Sequence, residues 1–326
     1  MGFLGGEADG EVIDMVSGQR WVDTGWFLEP GSGRDLFQAI GAIGGARTGT
    51  RFAWRGMSSI DYDLVSSLQR TTGFTTEADL REEELRILNE AREWGLGYGV
   101  GGWATDHQLL ADLQHYGTAT RLIDVTSNPM TALWFACQTP VRTTGEEMSN
   151  DGVLLAINID SWTRFGRSHS ASTPASVNDP LGWEFREALE KPEPFVVESL
   201  QPNDRLRAQE GFFIAGQLPS AVDQRRPFKS LTIPDYPSNN DYLASWLIGS
   251  GEQQGPWDGE MPFVAVGVPA ALKTQVLQHL ESSFNRHPRV LFPDFAGFLA
   301  YGSASSRREA PPIGVTSNGN FPVDGV

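Results

Sequence analysis

Apolar residues recur near every 3.6 positions in some stretches of this chain and alternate in others, which divides it into helices and strands. In "GSGRDLFQAIGAI" a serine cap precedes Leu36, Ile40 and Ile43 at helical spacing. Glu77 to Trp94, "EADLREEELRILNEAREW", is the clearest helix, with a threonine before it. Leu80, Leu85, Leu88 and Ala91 form its inner face and its charges are assigned to solvent. Thr105 to Tyr116 puts Leu109, Leu113 and Tyr116 on one face and Gln108, Asp112 and His115 on the next, and Gly117 ends it. Asn128 caps "PMTALWFAC" and Pro129 occupies its first turn; being apolar nearly all round, this helix must be central. "AALKTQVLQHLESSF" turns Leu272, Val276, Leu277 and Leu280 inward.

Alternation marks "GTRFAWRG", where Phe52 and Trp54 face one way and Arg51, Ala53 and Arg55 the other. "TRLIDVT" places Arg121, Ile123 and Val125 opposite Leu122, Asp124 and Thr126. "DGVLLAINID", "EPFVVESL", "GFFIAG", "SLTIP" and "PFVAVGVP" read as further strands, and "GQRWVDTGWFL" as a strand or hairpin. The glycine-rich "GLGYGVGGW" lacks the Lys-Ser/Thr of a P-loop and does not follow a strand as GxGxxG, so it reads as a linker or lid. Strands and helices do not alternate strictly, which predicts an α+β fold with a mixed or antiparallel sheet core and surrounding helices. The expected division is an extension over 1–30, one domain over 31–303 with an irregular insertion near 163–193, and a disordered tail over 304–326.

Composition narrows the chemistry. The net charge of −16 opposes generic nucleic-acid binding, so the arginines retained beside structured segments are better suited to a small anion. The single cysteine, Cys137, sits among apolar residues and excludes an intrachain disulfide. The five histidines lack metal-ligand spacing, and no metal is expected. No run approaches ~18 apolar residues and the start is acidic, so neither a membrane span nor export is expected and a cytoplasmic location is.

Four blocks carry a resemblance. "FAWRGMSSIDYDLVSSLQR" (52–70), "LLADLQHYGTATRLIDVTSNPMTALWFAC" (109–137), "NDRLRAQEGFFI" (203–214) and "RVLFPDFAGFLA" (289–300) resemble, in order, the signatures of the FRG-domain family. Trp54 stands where the family has phenylalanine, Thr118-Ala119 where it usually has a proline, and Val125 where tryptophan is common. The resemblance implies a bacterial or phage protein with little settled chemistry, so function must be argued from the site.

Arg55, His115-Tyr116 with Arg121, Asp124 and Thr126, and Arg205, Gln209 and Glu210 are too many polar groups beside apolar helices for packing alone, provided they converge. An arginine paired with Asp124 as a mere lock of the sheet is the structural alternative. The order of parts is also similar, more loosely, to the Arg, Ser-Thr-Ser and Gln-x-Glu layout of ADP-ribosyltransferases, which implies that fold and NAD as co-substrate. In that likeness Glu210, His115 and Arg55 form the catalytic set, and Arg55, Tyr116, Arg121, Asp124, Thr126, Arg205 and Gln209 hold the cofactor. A carboxylate would stabilise the oxocarbenium-like transition state of nicotinamide loss. The acceptor, a macromolecule, a small molecule or water, is left open, and a role in phage defence is an expectation. Two alternatives stand beside it: a nucleotide-binding module that breaks no bond, and a metal-independent hydrolase or nuclease in which His115 is the acid–base, its pKa raised by Asp112.

Overall fold

The computed structural model describes residues 19–45, 49–99, 102–139, 150–165, 188–199, 202–220, 226–233, 243 and 261–302. Its frame is an eight-stranded sheet. The strands are β1 (Phe27–Leu28), β2 (Phe52–Met57), β5 (Ile123–Thr126), β6 (Gly152–Asn158), β7 (Thr163–Phe165), β8 (Phe195–Val197), β9 (Gly211–Ala215) and β10 (Phe263–Val268), in the order β1-β10-β6-β2-β5-β9-β8-β7. β3 (Tyr98–Gly99) and β4 (Gly102–Trp103) form a separate ribbon, which corrects the expected loop. The β1–β10 and β7–β8 pairs are parallel and the other pairs of the large sheet antiparallel, so the fold is α+β with a mixed, mostly antiparallel sheet.

The helices are α1 (Gln19–Val22), α2 (Gly33–Gly45), α3 (Ser67–Thr72), α4 (Glu77–Glu93), α5 (Asp106–His115), α6 (Pro129–Ala136), α7 (Asp204–Ala208), α8 (Ala270–Phe284), α9 (Pro288–Leu291) and α10 (Phe295–Tyr301). Their starts follow from local chemistry. Thr76 accepts from the Asp79 amide, and Asn128 accepts from the Met130 and Thr131 amides with Pro129 behind it. Gly117, at φ 92°, lets the chain leave α5 in a left-handed turn.

Two cores hold the sheet. The larger joins β1, β10, β6 and β2 to α2 and α6. α6 lies directly on β2 because Gly56 has no side chain: a Cβ there would stand 1.8 Å from the Ala132 carbonyl oxygen. The second core packs Leu109, Leu110 and Leu113 of α5, with Leu88 of α4, on Phe195, Val197 and Phe213. β2 and β5 are joined by the single bridge Trp54↔Thr126, whereas β2 pairs with β6 along its whole length. A narrow seam therefore separates two half-sheets.

Several expectations are corrected. "GQRWVDTGWFL" is not a hairpin: it makes α1 and β1, with Trp21, Trp26, Phe27 and Leu28 in the core. "SLTIP" forms no strand; Leu231 and Ile233 are buried, but the segment is fastened by single links such as the Ser230 amide to the Leu64 carbonyl at 3.0 Å. On α4 the buried stripe is Leu80, Glu84, Leu88 and Ala91, with a carboxylate in place of Leu85. On α8 the buried set is Lys273, Val276 and Leu280, with Leu272 and Leu277 only half-buried. Lys273 donates to the carbonyls of Ser58 and Gln138, which offsets the cost of burying its ammonium. The expected insertion begins with β7, and 166–187 and 303–326 lie outside the described residues.

Candidate functional site

The candidate side chains gather around β5. Four residues, Ile-Asp-Val-Thr, cross the middle of the sheet, and their ends carry two polar assemblies. At the seam, Arg55 of β2 donates through Nη1 to the Asp124 carbonyl. The Asp124 carboxylate accepts from Gln114 Nε2 at 3.0 Å. Gln114 Oε1 in turn accepts from Thr120 Oγ1 at 2.7 Å and Ser67 Oγ at 3.3 Å. Burial holds the Arg55 guanidinium below its usual pKa; the Asp124 charge opposes this and the Arg70 charge adds to it. Arg55 Nε is buried without a hydrogen-bond partner among the described residues.

The second assembly lies where β5 runs into α6. Thr126 Oγ1 donates to the Gln209 carbonyl at 2.7 Å and accepts from the Asn128 amide at 3.0 Å. The Ser127 amide donates to the Glu210 carbonyl at 3.1 Å. Glu210 has φ 50°, a left-handed conformation unfavourable for a residue with a Cβ, and such strain is stored where surrounding contacts enforce it. Here they do: Glu210 Oε1 accepts from Asn128 Nδ2 at 2.8 Å and from Arg286 Nη2 at 2.7 Å. Asn128 thus serves twice, its oxygen capping α6 and its amide nitrogen aiming a carboxylate. Glu210 Oε2 has no hydrogen bond among the described residues, and Arg286 Nε is buried without a partner there.

His115, at the end of α5, feels the charge of Arg205, on the helix that leads into Gln209 and Glu210. Burial and then the Arg205 charge lower its pKa, partly offset by Asp294 and Asp112. The rise expected from Asp112 is therefore outweighed, and the neutral imidazole is favoured at neutral pH. Tyr116 is 83% exposed, its ring 4.9 Å from the His115 ring. Arg205 lies over the Phe292 ring, 4.4 Å from its centre. Gln209 is committed to structure, its Nε2 donating to the Leu291 carbonyl at 3.0 Å.

Arg121 does not join them. Its Nε donates to both Glu84 oxygens at 2.8 Å, and its Nη1 to Glu77 Oε1 at 3.0 Å and to the Gly216 carbonyl at 3.2 Å. Arg121 precedes β5 and faces the buried carboxylate of α4, so it locks the sheet to that helix. Of the two arginines expected to pair with Asp124, Arg121 pairs with Glu84 and Arg55 donates to the Asp124 backbone carbonyl. Cys137 is buried, and burial pushes its thiol up to about 12. Among the described residues no group of three or more His, Cys, Asp or Glu could hold a metal ion, and no helix is long and apolar enough to cross a membrane.

Of the nine residues expected in the site, Arg55, Asp124, Thr126, Gln209 and Glu210 are brought together along β5. His115 touches Tyr116 and feels the charge of Arg205, and Arg121 is left out. Sequence reasoning missed Gln114 as the tie between α5 and Asp124, Asn128 as a carboxylate donor, and Arg286. Gln114 lies within the Gln-His-Tyr-Gly block and could have been found there; Arg286 stands 76 positions from Glu210 with no local pattern around it.

Residues 50–144 match the model of the FRG domain. No curated protein and no solved structure matches the chain.

Proposed function

The chain carries an FRG domain, and on that premise we propose that it cleaves the nicotinamide–ribose bond of NAD and transfers the ADP-ribose. The reading rests on one observation: Glu210, strained and half-exposed, is aimed by Asn128 and Arg286 at the end of the strand that also touches Arg55. In the reaction, the bond between the ribose C1′ and the nicotinamide nitrogen breaks and its electron pair leaves with neutral nicotinamide. The Glu210 carboxylate stabilises the oxocarbenium-like ribose. An acceptor hydroxyl, or water, then bonds to C1′ and passes its proton to Glu210. Arg55 holds the diphosphate, and Tyr116 offers an open ring face to the nicotinamide.

Nicotinamide release from NAD, followed by chromatography, tests this. The wild type should release it, chelator should change nothing, and Glu210→Gln should cut the rate by about 100-fold or more. Full release by Glu210→Gln overturns the role of Glu210. A wild type that binds nucleotide but releases no nicotinamide is instead a sensing module, a reading favoured by the 2.7 Å ion pair that partly neutralises the carboxylate.

A further inference from the structure

Large apolar side chains are seldom left in water together, yet Trp94 is 80%, Leu96 49% and Tyr98 68% exposed, three within five residues. They follow the end of α4, where the chain folds back into the β3–β4 ribbon. Gly95 and Gly97, at φ 78° and 82°, allow the turn, and the Leu96 amide donates to the Ala91 carbonyl at 2.9 Å. Gly97 forms the inner side: a Cβ there would stand 3.3 Å from Leu109 Cδ1 and 3.4 Å from Ala104 Cβ. The turn is thus seated on the second core by a residue without a side chain, and the large side chains to either side of it stand outside. Tyr98 is braced by the Trp103 ring, 5.2 Å away at 63°, across the pair Tyr98↔Trp103. Neither the Trp94 indole N–H nor the Tyr98 hydroxyl bonds to any described residue.

The charges beside these rings select the partner. Glu90 and Glu93 are exposed in the last turn of α4, at the negative end of a 17-residue helix, where a carboxylate is unfavourable and a cation is welcome. Arg92 of that turn is committed to Asp106, and Arg86, the one exposed cation of the helix, bonds Glu83 and Glu90. Glu93 makes no ion pair among the described residues. This setting repels a polyanion. The two-residue strands of the ribbon are too short an edge for an added strand. Aromatic pads beside free N–H and O–H donors suit a polyproline II helix instead. Its pyrrolidines pack on ring faces, its carbonyls have no internal partners, and it is ordered before it binds. We propose that Trp94, Leu96 and Tyr98 dock a proline-rich segment of another protein, with Glu93 pairing a basic residue beside the prolines. Trp94 Nε1 and the Tyr98 hydroxyl donate to carbonyls of that segment. The inference does not depend on the reading of Glu210.

Fluorescence anisotropy with the full chain tests this, using labelled polyproline flanked by arginines, polyproline flanked by glutamates, and an arginine-flanked peptide with alanine for proline. The wild type should bind the first saturably and each of the others about tenfold more weakly. Trp94→Ala should weaken the first by about tenfold or more with an unchanged melting temperature, since the exposed ring adds little to the fold. Tyr98→Phe, which keeps the ring and removes the donor, should weaken it about threefold. Glu93→Gln should narrow the gap between arginine and glutamate flanks. The docking surface is overturned if the wild type binds none of the peptides, if alanine serves as well as proline, or if the two flanks bind alike. Undiminished binding by Trp94→Ala overturns it too. So does a neutral oligosaccharide that competes as well as unlabelled peptide, which would make the rings a carbohydrate platform.

Discussion

Two carboxylate–guanidinium assemblies stand near β5, built from the same chemistry. Before its start, Arg121 and Glu84 have side chains 1% and 3% exposed. Beyond its end, Arg286 and Glu210 have side chains 17% and 44% exposed. In the first, both carboxylate oxygens are turned on one guanidinium nitrogen, and water is replaced by protein. In the second, both donors meet one oxygen and the other is left for a visitor. The sealed assembly is a lock and the open one is the proposed site, and the difference lies in burial and in how the oxygens are shared.

The sharpest way to break this contrast is to remove the sealed arginine. Arg121→Ala leaves Glu84 buried without its counter-charge and should cost about 3–5 kcal/mol, a fall in melting temperature on the order of 10 °C. A fall no larger than that of an exposed-site variant would erase the distinction. The two histidines of α5 offer a second comparison. Burial lowers His107 to about 4, so the folded protein keeps it neutral where the unfolded chain takes up a proton near 6.5. Its contribution is fully present above pH 6.5 and is lost as pH falls toward 4, on the order of 3 kcal/mol in all. Denaturant unfolding at the two pH values should show that loss, and His107→Leu should flatten it; an equal slope in the variant would assign it elsewhere. The smallest effect on stability belongs to the open pair. Arg286→Ala should change unfolding free energy by about 1 kcal/mol or less, while freeing Glu210 and altering the pH profile of any turnover; a loss as large as that of Arg121→Ala would make the open pair a second lock.

Much of the fold could be read locally. Thr76, Asn128-Pro129 and Gly117 mark helix ends because caps and turns are set by neighbours in the chain. The run "VLLAIN" reads as a buried strand for a similar reason. Glu84 was not legible, since a carboxylate among Glu82, Glu83 and Arg86 looks like a solvated face until Arg121 is known to reach it. Nor was the parallel pairing of Phe27–Leu28 with β10, because its partner lies more than 230 positions away. In the site, Arg55, Asp124 and Glu210 could be named from their motifs, but which arginine meets which carboxylate depends on where the helices pack.

The seam between β2 and β5 bears on what a recurring stretch of sequence can carry from one protein to another. The matched residues 50–144 contain β2, β5 and α3 to α6, but neither β6 nor β9, which give those two strands their long partners. Taken alone, the stretch would hold two strands of the large sheet joined at one bridge, each with its other edge bare. The matched stretch is thus smaller than the sheet it belongs to. The matched stretch holds Arg55, His115 and Asp124, whereas Glu210 and Arg286 lie beyond it. On the proposed reading, the residue that grips the anion therefore lies inside the matched stretch and the carboxylate outside it.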